Sequence, residues 1–207
     1  MKELLKAVFL KYVIRYQNPK KYWNMRWKLH HKILYQTRSD FKQWYFQTVT
    51  DIMTKYDCTN ILEVGCGLAH LRELPGYLGL DFSSEVLKRS GLQNFISTDI
   101  TNEIPLPDKS YDAVLSIVVL MHIPFGKIEQ AVSEISRVAK KCVILFEPWG
   151  TKHHHTQPHT FSHNLPLLFK KHFDGVIIFE DIPQGSPIPY KHRAEMLKWL
   201  ETLKRET

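Results

Sequence analysis

NILEVGCGLAHLRELPGYLGLD, running from Asn60 to Asp81, decides the fold. Ile61, Leu62 and Val64 form an apolar run around a single acid, Glu63, and the run breaks at Gly65-Cys66-Gly67. The spacing predicts a short helix over 68–74, stopped by Pro75-Gly76, and then a second apolar run that ends in Asp81. Strand, glycine turn, helix and strand, with an acid at the tip of the second strand, make a unit that binds the ribose end of a nucleoside at the carboxyl edge of a parallel sheet. Gly65 and Gly67 let the backbone turn sharply and come close to a ligand. Asp81 can accept hydrogen bonds from two ribose hydroxyls, one on each carboxylate oxygen.

A dinucleotide fingerprint would place a third glycine at position 70, which is histidine here. That glycine lets a helix present its N-terminus to a pyrophosphate. Glu63 just ahead of the glycines would repel phosphate and favour a ligand with a positive centre. The local chemistry therefore selects a nucleoside without phosphates that carries a cation.

EVGCGLA (Glu63 to Ala69) resembles the nucleoside loop of class I S-adenosylmethionine-dependent methyltransferases, with Ala69 in place of the third glycine. GLDFS (Gly79 to Ser83) resembles their second acidic loop. STDITNEIPLPDKSYDAVLSIVVLMHI (Ser97 to Ile123) is similar to the segment that supplies the adenine-side acid and the fourth strand. The resemblance covers about Asn60 to Glu147 and consists of several ordered parts. It implies a Rossmann-like α/β fold, a mostly parallel sheet with helices on both faces, and S-adenosyl-L-methionine as cofactor.

Outward from this core, charge is placed unevenly. Residues 1–60 hold 12 Lys/Arg against 4 Asp/Glu, whereas residues 61–150 hold 8 against 11. The basic excess behind the net charge of +7 thus precedes the nucleoside-binding unit. Residues 1–58 read as a basic, aromatic helical extension and 59–207 as the methyltransferase domain. Leu4, Leu5, Val8, Phe9, Tyr12, Val13 and Tyr16 recur at helical spacing, which predicts an amphipathic helix ending by Asn18-Pro19. A second helix is expected from Ser39-Asp40 through Lys55. Three scattered cysteines, Cys58, Cys66 and Cys142, without a C-x-x-C pair point to reduced thiols and a cytoplasmic setting. No apolar run is long enough to cross a bilayer.

Strands are expected at 61–64, 77–80, 94–98, 112–117, 142–147 and 176–181, with helices at 83–90, 126–139, 164–172 and about 192–204. Alternation of this kind implies right-handed crossovers and a parallel sheet. Class I enzymes usually finish with a further antiparallel strand; two prolines within Ser186 to Tyr190 predict that it is short or irregular here.

Several residues are candidates for chemistry. Glu63 reads as the partner of the cofactor's amino group or as the residue that orders the glycine loop, with a plain strand-end role as the alternative. Asp99 ends the third strand and could accept the adenine amino group while Ile100 and Phe82 flank the ring; Asp also favours turns. Ser116 to Val118 should border the methionine arm. The resemblance places His122 on the active-site floor as a general base or substrate-orienting group, and a buried structural histidine is an equal reading. Glu147 in Glu147-Pro148-Trp149 could accept a substrate proton or simply end a strand. YWNMRW (Tyr22 to Trp27) is similar to a segment that closes over the cofactor in many class I enzymes; Arg26 would pair with the cofactor carboxylate, or the tryptophans would staple the extension to the core.

TKHHHTQPHTFSHN holds His153, His154, His155, His159 and His163. Adjacent histidines in an extended segment point in alternating directions and no Cys or Asp completes a shell, so no metal site is expected. HTFSHNLPLLF (His159 to Phe169) resembles a segment of some small bacterial and archaeal methyltransferases, with Asn164-Leu165 in place of Asp-Tyr, and this implies that His159 and His163 close over the substrate. The reaction expected is methyl transfer to an O or N nucleophile, with no Asn-Pro-Pro-Tyr or Asp-Pro-Pro-Tyr motif after the fourth strand. A small-molecule, glycan or lipid-linked acceptor leads, with peripheral membrane contact through the N-terminal helix as one use of that helix. The alternatives are an RNA methyltransferase that grips nucleic acid with residues 11–45, and a non-catalytic cofactor-binding relative.

Overall fold

The computed structural model describes residues 18–24, 39–150, 154–157 and 160–180. The amphipathic helix expected before Asn18, the irregular strand near Ser186 to Tyr190 and the terminal helix lie outside the described residues, as do Arg26 and His159. The chain divides into two units, Met1–Asp99 and Ile100–Thr207.

In the first unit, helix α1 (Ser39–Lys55) precedes strands β1 (Ile61–Val64) and β2 (Tyr77–Asp81), helix α2 (Ser84–Ser90) and strand β3 (Phe95–Ser97). The strands lie in the order β3-β2-β1 and every pairing is parallel, with Ile61 opposite Tyr77, Glu63 opposite Gly79 and Asp81 opposite Ser97. All four residues of β1 are buried, which is why the run is apolar on both faces apart from Glu63 and does not alternate. Helix α1 buries Val49, Ile52 and Met53, the one-face spacing of an amphipathic helix. Gly79 is needed for close approach: a Cβ there would stand 2.8 Å from Cys66 Sγ and 2.9 Å from Leu92 Cδ1.

The helix expected over 68–74 is a chain of turns. Ala69 N donates to Cys66 O, Arg72 N to Ala69 O and Leu74 N to Leu71 O, each a three-residue step. Left-handed backbone at Gly67 (φ 55) and Ala69 (φ 53) prevents a regular helix from propagating. The leucines that suggested a helix still face inward, with Leu71 and Leu74 buried.

The second unit holds strand β4 (Tyr111–Ile117), a 3-10 turn (Leu120–His122), helix α3 (Phe125–Val138), strand β5 (Ala139–Phe146), the hairpin β6 (His154–Gln157) and β7 (Thr160–Ser162), helix α4 (Leu165–His172) and strand β8 (Val176–Phe179). Its strands run β4-β5-β8, again all parallel, and β6 pairs antiparallel with β7. That hairpin replaces the histidine-rich loop expected from Thr151 to His163. Helix α3 buries Ile128, Ala131, Val132, Ile135 and Val138, the i, i+3, i+4, i+7 stripe of a helix laid on a core. Asn164 caps α4 by accepting from Leu167 N at 3.2 Å, work that its Asp counterpart in the resembling segment could do equally well. Parallel strands alternating with helices make the chain a Rossmann-like α/β protein, the runs 3-2-1 and 4-5 being those of the doubly wound order. No helix among the described residues is long and apolar enough to cross a membrane.

Candidate active site

The glycine turn between β1 and β2 builds the first part of the site. Gly65 (φ 66) and Gly67 (φ 55) both take left-handed backbone, so the chain doubles back directly at the carboxyl end of β1. Cys66 N donates to Leu80 O at 2.9 Å, which ties the turn to β2, and Gly67 N donates to Asp81 Oδ2 at 3.1 Å. Asp81 Oδ1 accepts from Ser83 N at 2.8 Å. Both oxygens are thus held by backbone donors, with Phe82 N a third, and a carboxylate's four lone-pair sites leave room for a ligand. Burial pushes the Asp81 carboxyl up to about 6 despite these bonds, because a charge removed from water is costly to keep.

Beside Asp81 lies Glu63, also buried, which receives the hydroxyl hydrogen of Tyr77 on Oε2. Desolvation raises Glu63 to about 7; the Tyr77 hydroxyl opposes this and the neighbouring Asp81 charge adds to it. Cys66 completes the group, but its side chain packs into the core against Val86 and Leu87, and burial pushes its thiol far up. At the turn its amide bonds Leu80 O and its thiol reaches Gly67 O at 3.9 Å. His70, in the third-glycine position, is lowered to about 4 by burial together with the Lys42 and Arg72 charges, so it is neutral at physiological pH.

Phe82 is half-buried next to Asp81, and Ser83 starts α2 as its N-cap, accepting from Val86 N. Ser83 Oγ in turn donates to Asn24 Oδ1 at 2.7 Å. Asn24 lies in a helix described over 19–24, which Asn18 opens by accepting from Lys21 N at 2.9 Å. The aromatic segment is therefore stapled to the nucleoside unit by Asn24, a residue with no role in the sequence reading. Asp99 is half-buried at the end of this unit.

The second unit carries its own buried acid. Glu147 follows β5 and is 2% exposed. Its Oε1 accepts from Ser116 Oγ at 2.7 Å, Val119 N at 2.7 Å and Leu120 N at 3.1 Å. Burial raises it to about 7, against the pull of those donors. The segment it holds is strained, since Val118 is β-branched and sits at φ 57. Ile100 is buried and His122 half-buried at the end of the 3-10 turn. His163 is fully buried, with Nε2 2.9 Å from Ile123 O; a carbonyl only accepts, so Nε2 carries the proton. Its ring stacks on Phe161 and meets the edge of Phe125, and this anchors the residue after His122.

Residues 62–146 match the family model described as a methyltransferase domain. A protein of Encephalitozoon cuniculi (strain GB-M1), named provisionally as a methyltransferase, is 31% identical over 96 residues, 44% of this chain and 45% of its own. The chain therefore spans less than half the length of that curated relative. A crystal structure of a SAM-dependent methyltransferase from Archaeoglobus fulgidus superposes with a TM-score of 0.51 at 17% identity, over 63% of this chain and 67% of that one; at that identity the likeness is one of fold. SAM-bound CalS10, an amino pentose methyltransferase from Micromonospora echinaspora, gives a TM-score of 0.49 at 17% identity, over 58% and 57%.

Over residues 62–146 the chain is thus similar to methyltransferase domains, in sequence and in its Rossmann-like fold, and the cofactor expected from the sequence is S-adenosylmethionine. The donor set fits that cofactor: a diol-binding carboxylate at Asp81, a second carboxylate at Glu63 suited to a cation, and glycines that clear space for the nucleoside.

Proposed function

We propose that the chain transfers the methyl group of S-adenosylmethionine to an oxygen or nitrogen nucleophile of a small-molecule, glycan or lipid-linked acceptor. The observation that carries this reading is Asp81, a buried carboxylate whose two oxygens are fixed by Gly67 N and Ser83 N beside a left-handed glycine turn. Ribose hydroxyls would complete its hydrogen bonding. The sulfonium is already activated, so the protein's main task is to align nucleophile, methyl carbon and sulfur at near-attack distance. Asp99 and Ile100 are the proposed adenine-side pair, and Ser116 the group along the methionine arm. His122 is the proposed base or orienting group for an alcohol acceptor, with Glu147 and the His159–His163 segment on the acceptor side. Arg26 is proposed for the cofactor carboxylate.

Calorimetric titration with S-adenosylmethionine and S-adenosylhomocysteine tests the cofactor assignment. Micromolar affinity is expected, falling about 100-fold or more in Asp81→Ala, since two charge-assisted hydrogen bonds are worth about 3 kcal/mol. Radiolabelled methyl transfer onto fractionated cell extract then identifies the acceptor class. Well-folded protein that binds neither ligand would overturn the reading.

The surplus of Lys/Arg in residues 1–60 favours one other acceptor, RNA. Grip on phosphates makes affinity fall steeply with salt. A mobility-shift titration at 50 and 200 mM salt separates the two readings: a tenfold or greater loss favours RNA, and no binding at either salt favours the smaller acceptor.

A further inference from the structure

We propose that Tyr77 is a positioning residue for the cofactor's ammonium group: its hydroxyl occupies one oxygen of Glu63 and so aims the other at the ligand. The inference rests on the cofactor reading given above. Tyr77 opens β2 opposite Ile61, two residues before the Gly79–Glu63 pair, and its side chain reaches forward across the ladder to Glu63 Oε2. No other hydrogen bond to Glu63 occurs among the described residues, so Oε1 remains to receive a donor.

Without the phenol, a buried carboxylate on a four-residue strand would have two equivalent oxygens and no reason to present either. With it, the carboxylate plane is fixed and one acceptor is set aside for the ligand. The ionisable groups acting on Glu63 are Tyr77 and Asp81, and Cys66 is coupled to all three; none of them is a cation. Among the described residues the cluster is therefore rich in acid and has no cationic member, and an ammonium group would supply one. A phenol suits the task because burial and the adjacent Glu63 raise it, so it stays a donor throughout the physiological range.

The Tyr77 hydroxyl also lowers Glu63 toward the ionised form that attracts a cation. Cofactor affinity should accordingly weaken as pH falls through about 7, where Glu63 takes up its proton. Tyr77→Phe keeps the ring and deletes only the donor, so the same weakening should begin at a higher pH.

The test is calorimetric titration of wild type and Tyr77→Phe between pH 6 and 9 with two probes, S-adenosylmethionine and 5′-methylthioadenosine. The second probe shares the nucleoside but lacks the ammonium and carboxylate. Tyr77→Phe is expected to weaken S-adenosylmethionine about tenfold at pH 7, the size of one hydrogen bond to a charged group, and to leave 5′-methylthioadenosine within about twofold. The pH midpoint of S-adenosylmethionine binding should move upward in the variant. Equal loss for both probes would reduce Tyr77 to a packing residue and overturn the proposal, as would an unchanged midpoint with unchanged affinity. Failure of wild type to bind either probe would instead overturn the cofactor reading on which the role depends.

Discussion

Val118 and Glu147 show how a single strained residue is held. A β-branched side chain in left-handed backbone costs on the order of 1–2 kcal/mol, and the structure contains it by fastening both flanks. Val118 N donates to Phe146 O at 3.0 Å, and Glu147 Oε1 collects Ser116 Oγ, Val119 N and Leu120 N. Glu147→Ala leaves those donors without their acceptor and is expected to lower unfolding free energy by about 3 kcal/mol in urea melts. Glu147→Gln keeps an acceptor oxygen and should lose less than half as much; equal losses would mean that the three bonds contribute little. Glycine at 118 should leave the melting temperature unchanged or raise it, since relief of strain offsets the extra chain entropy of the unfolded state. The acid after β5 was legible in the sequence, and its partners were not, because they come from the end of β4 and the turn that follows it, 27 to 31 residues earlier. Tyr77 escaped notice for a similar reason. Only the β1–β2 register brings it to Glu63.

Helix α3 and the loop ahead of β4 are joined by one arginine. Arg137 Nε and Nη2 bond Glu134 at 3.0 and 2.7 Å, Nη1 bonds Leu106 O and Asp108, each at 2.8 Å, and Nη2 reaches Ile104 O at 2.8 Å. Glu134 Oε2 also accepts from Ile104 N at 2.7 Å, so the pair gives the loop carbonyls and amides the partners that a strand would otherwise supply. Arg137→Ala should destabilise by about 2 kcal/mol or more, and Arg137→Lys should recover little, because a point charge cannot serve the fork of acceptors. Equal stability of the Lys variant and wild type would show that charge alone matters. At this scale the strands that build the glycine unit were readable, since Ile61–Val64 and Tyr77–Asp81 are largely apolar runs that end at Gly65 and at Asp81 itself. The turns over 68–74 were not, because Leu68, Leu71 and Leu74 recur every three residues in consecutive turns much as they would on a helix, and left-handed φ at Ala69 leaves no sign in an alanine. The β6–β7 hairpin was hidden by histidines that carry no β signature. Of the candidate site, the glycines, Glu63 and Asp81 could be read because their chemistry is local.

Three buried acids set the behaviour of the whole molecule with pH. Glu63 and Glu147 are raised from 4.5 to about 7 and Asp81 from 3.8 to about 6, each chiefly by burial. Between their ordinary and raised values the native state holds more protons than the unfolded chain, so unfolding free energy falls as pH rises across that interval and levels off above about 7. Glu129 and Glu134 are shifted the other way by Lys171 and Arg137, so their contribution is lost only as pH falls below the ordinary carboxylate range. From pH 5.5 to 7.5 the buried acids outweigh His70, whose lowered value of about 4 works the other way below its ordinary 6.5, and the ligand-free protein should lose about 3 kcal/mol, or roughly 9 °C of melting temperature for a chain of this size. A cation at Glu63 favours its ionised form and removes part of that penalty. Saturating S-adenosylmethionine should consequently raise the melting temperature more at pH 7.5 than at pH 5.5, and Glu63→Gln should narrow that difference. Scanning fluorimetry across this range with and without cofactor decides the matter: a flat ligand-free profile would show that the acids are solvated. A cofactor shift independent of pH would show that the cation does not sit beside Glu63.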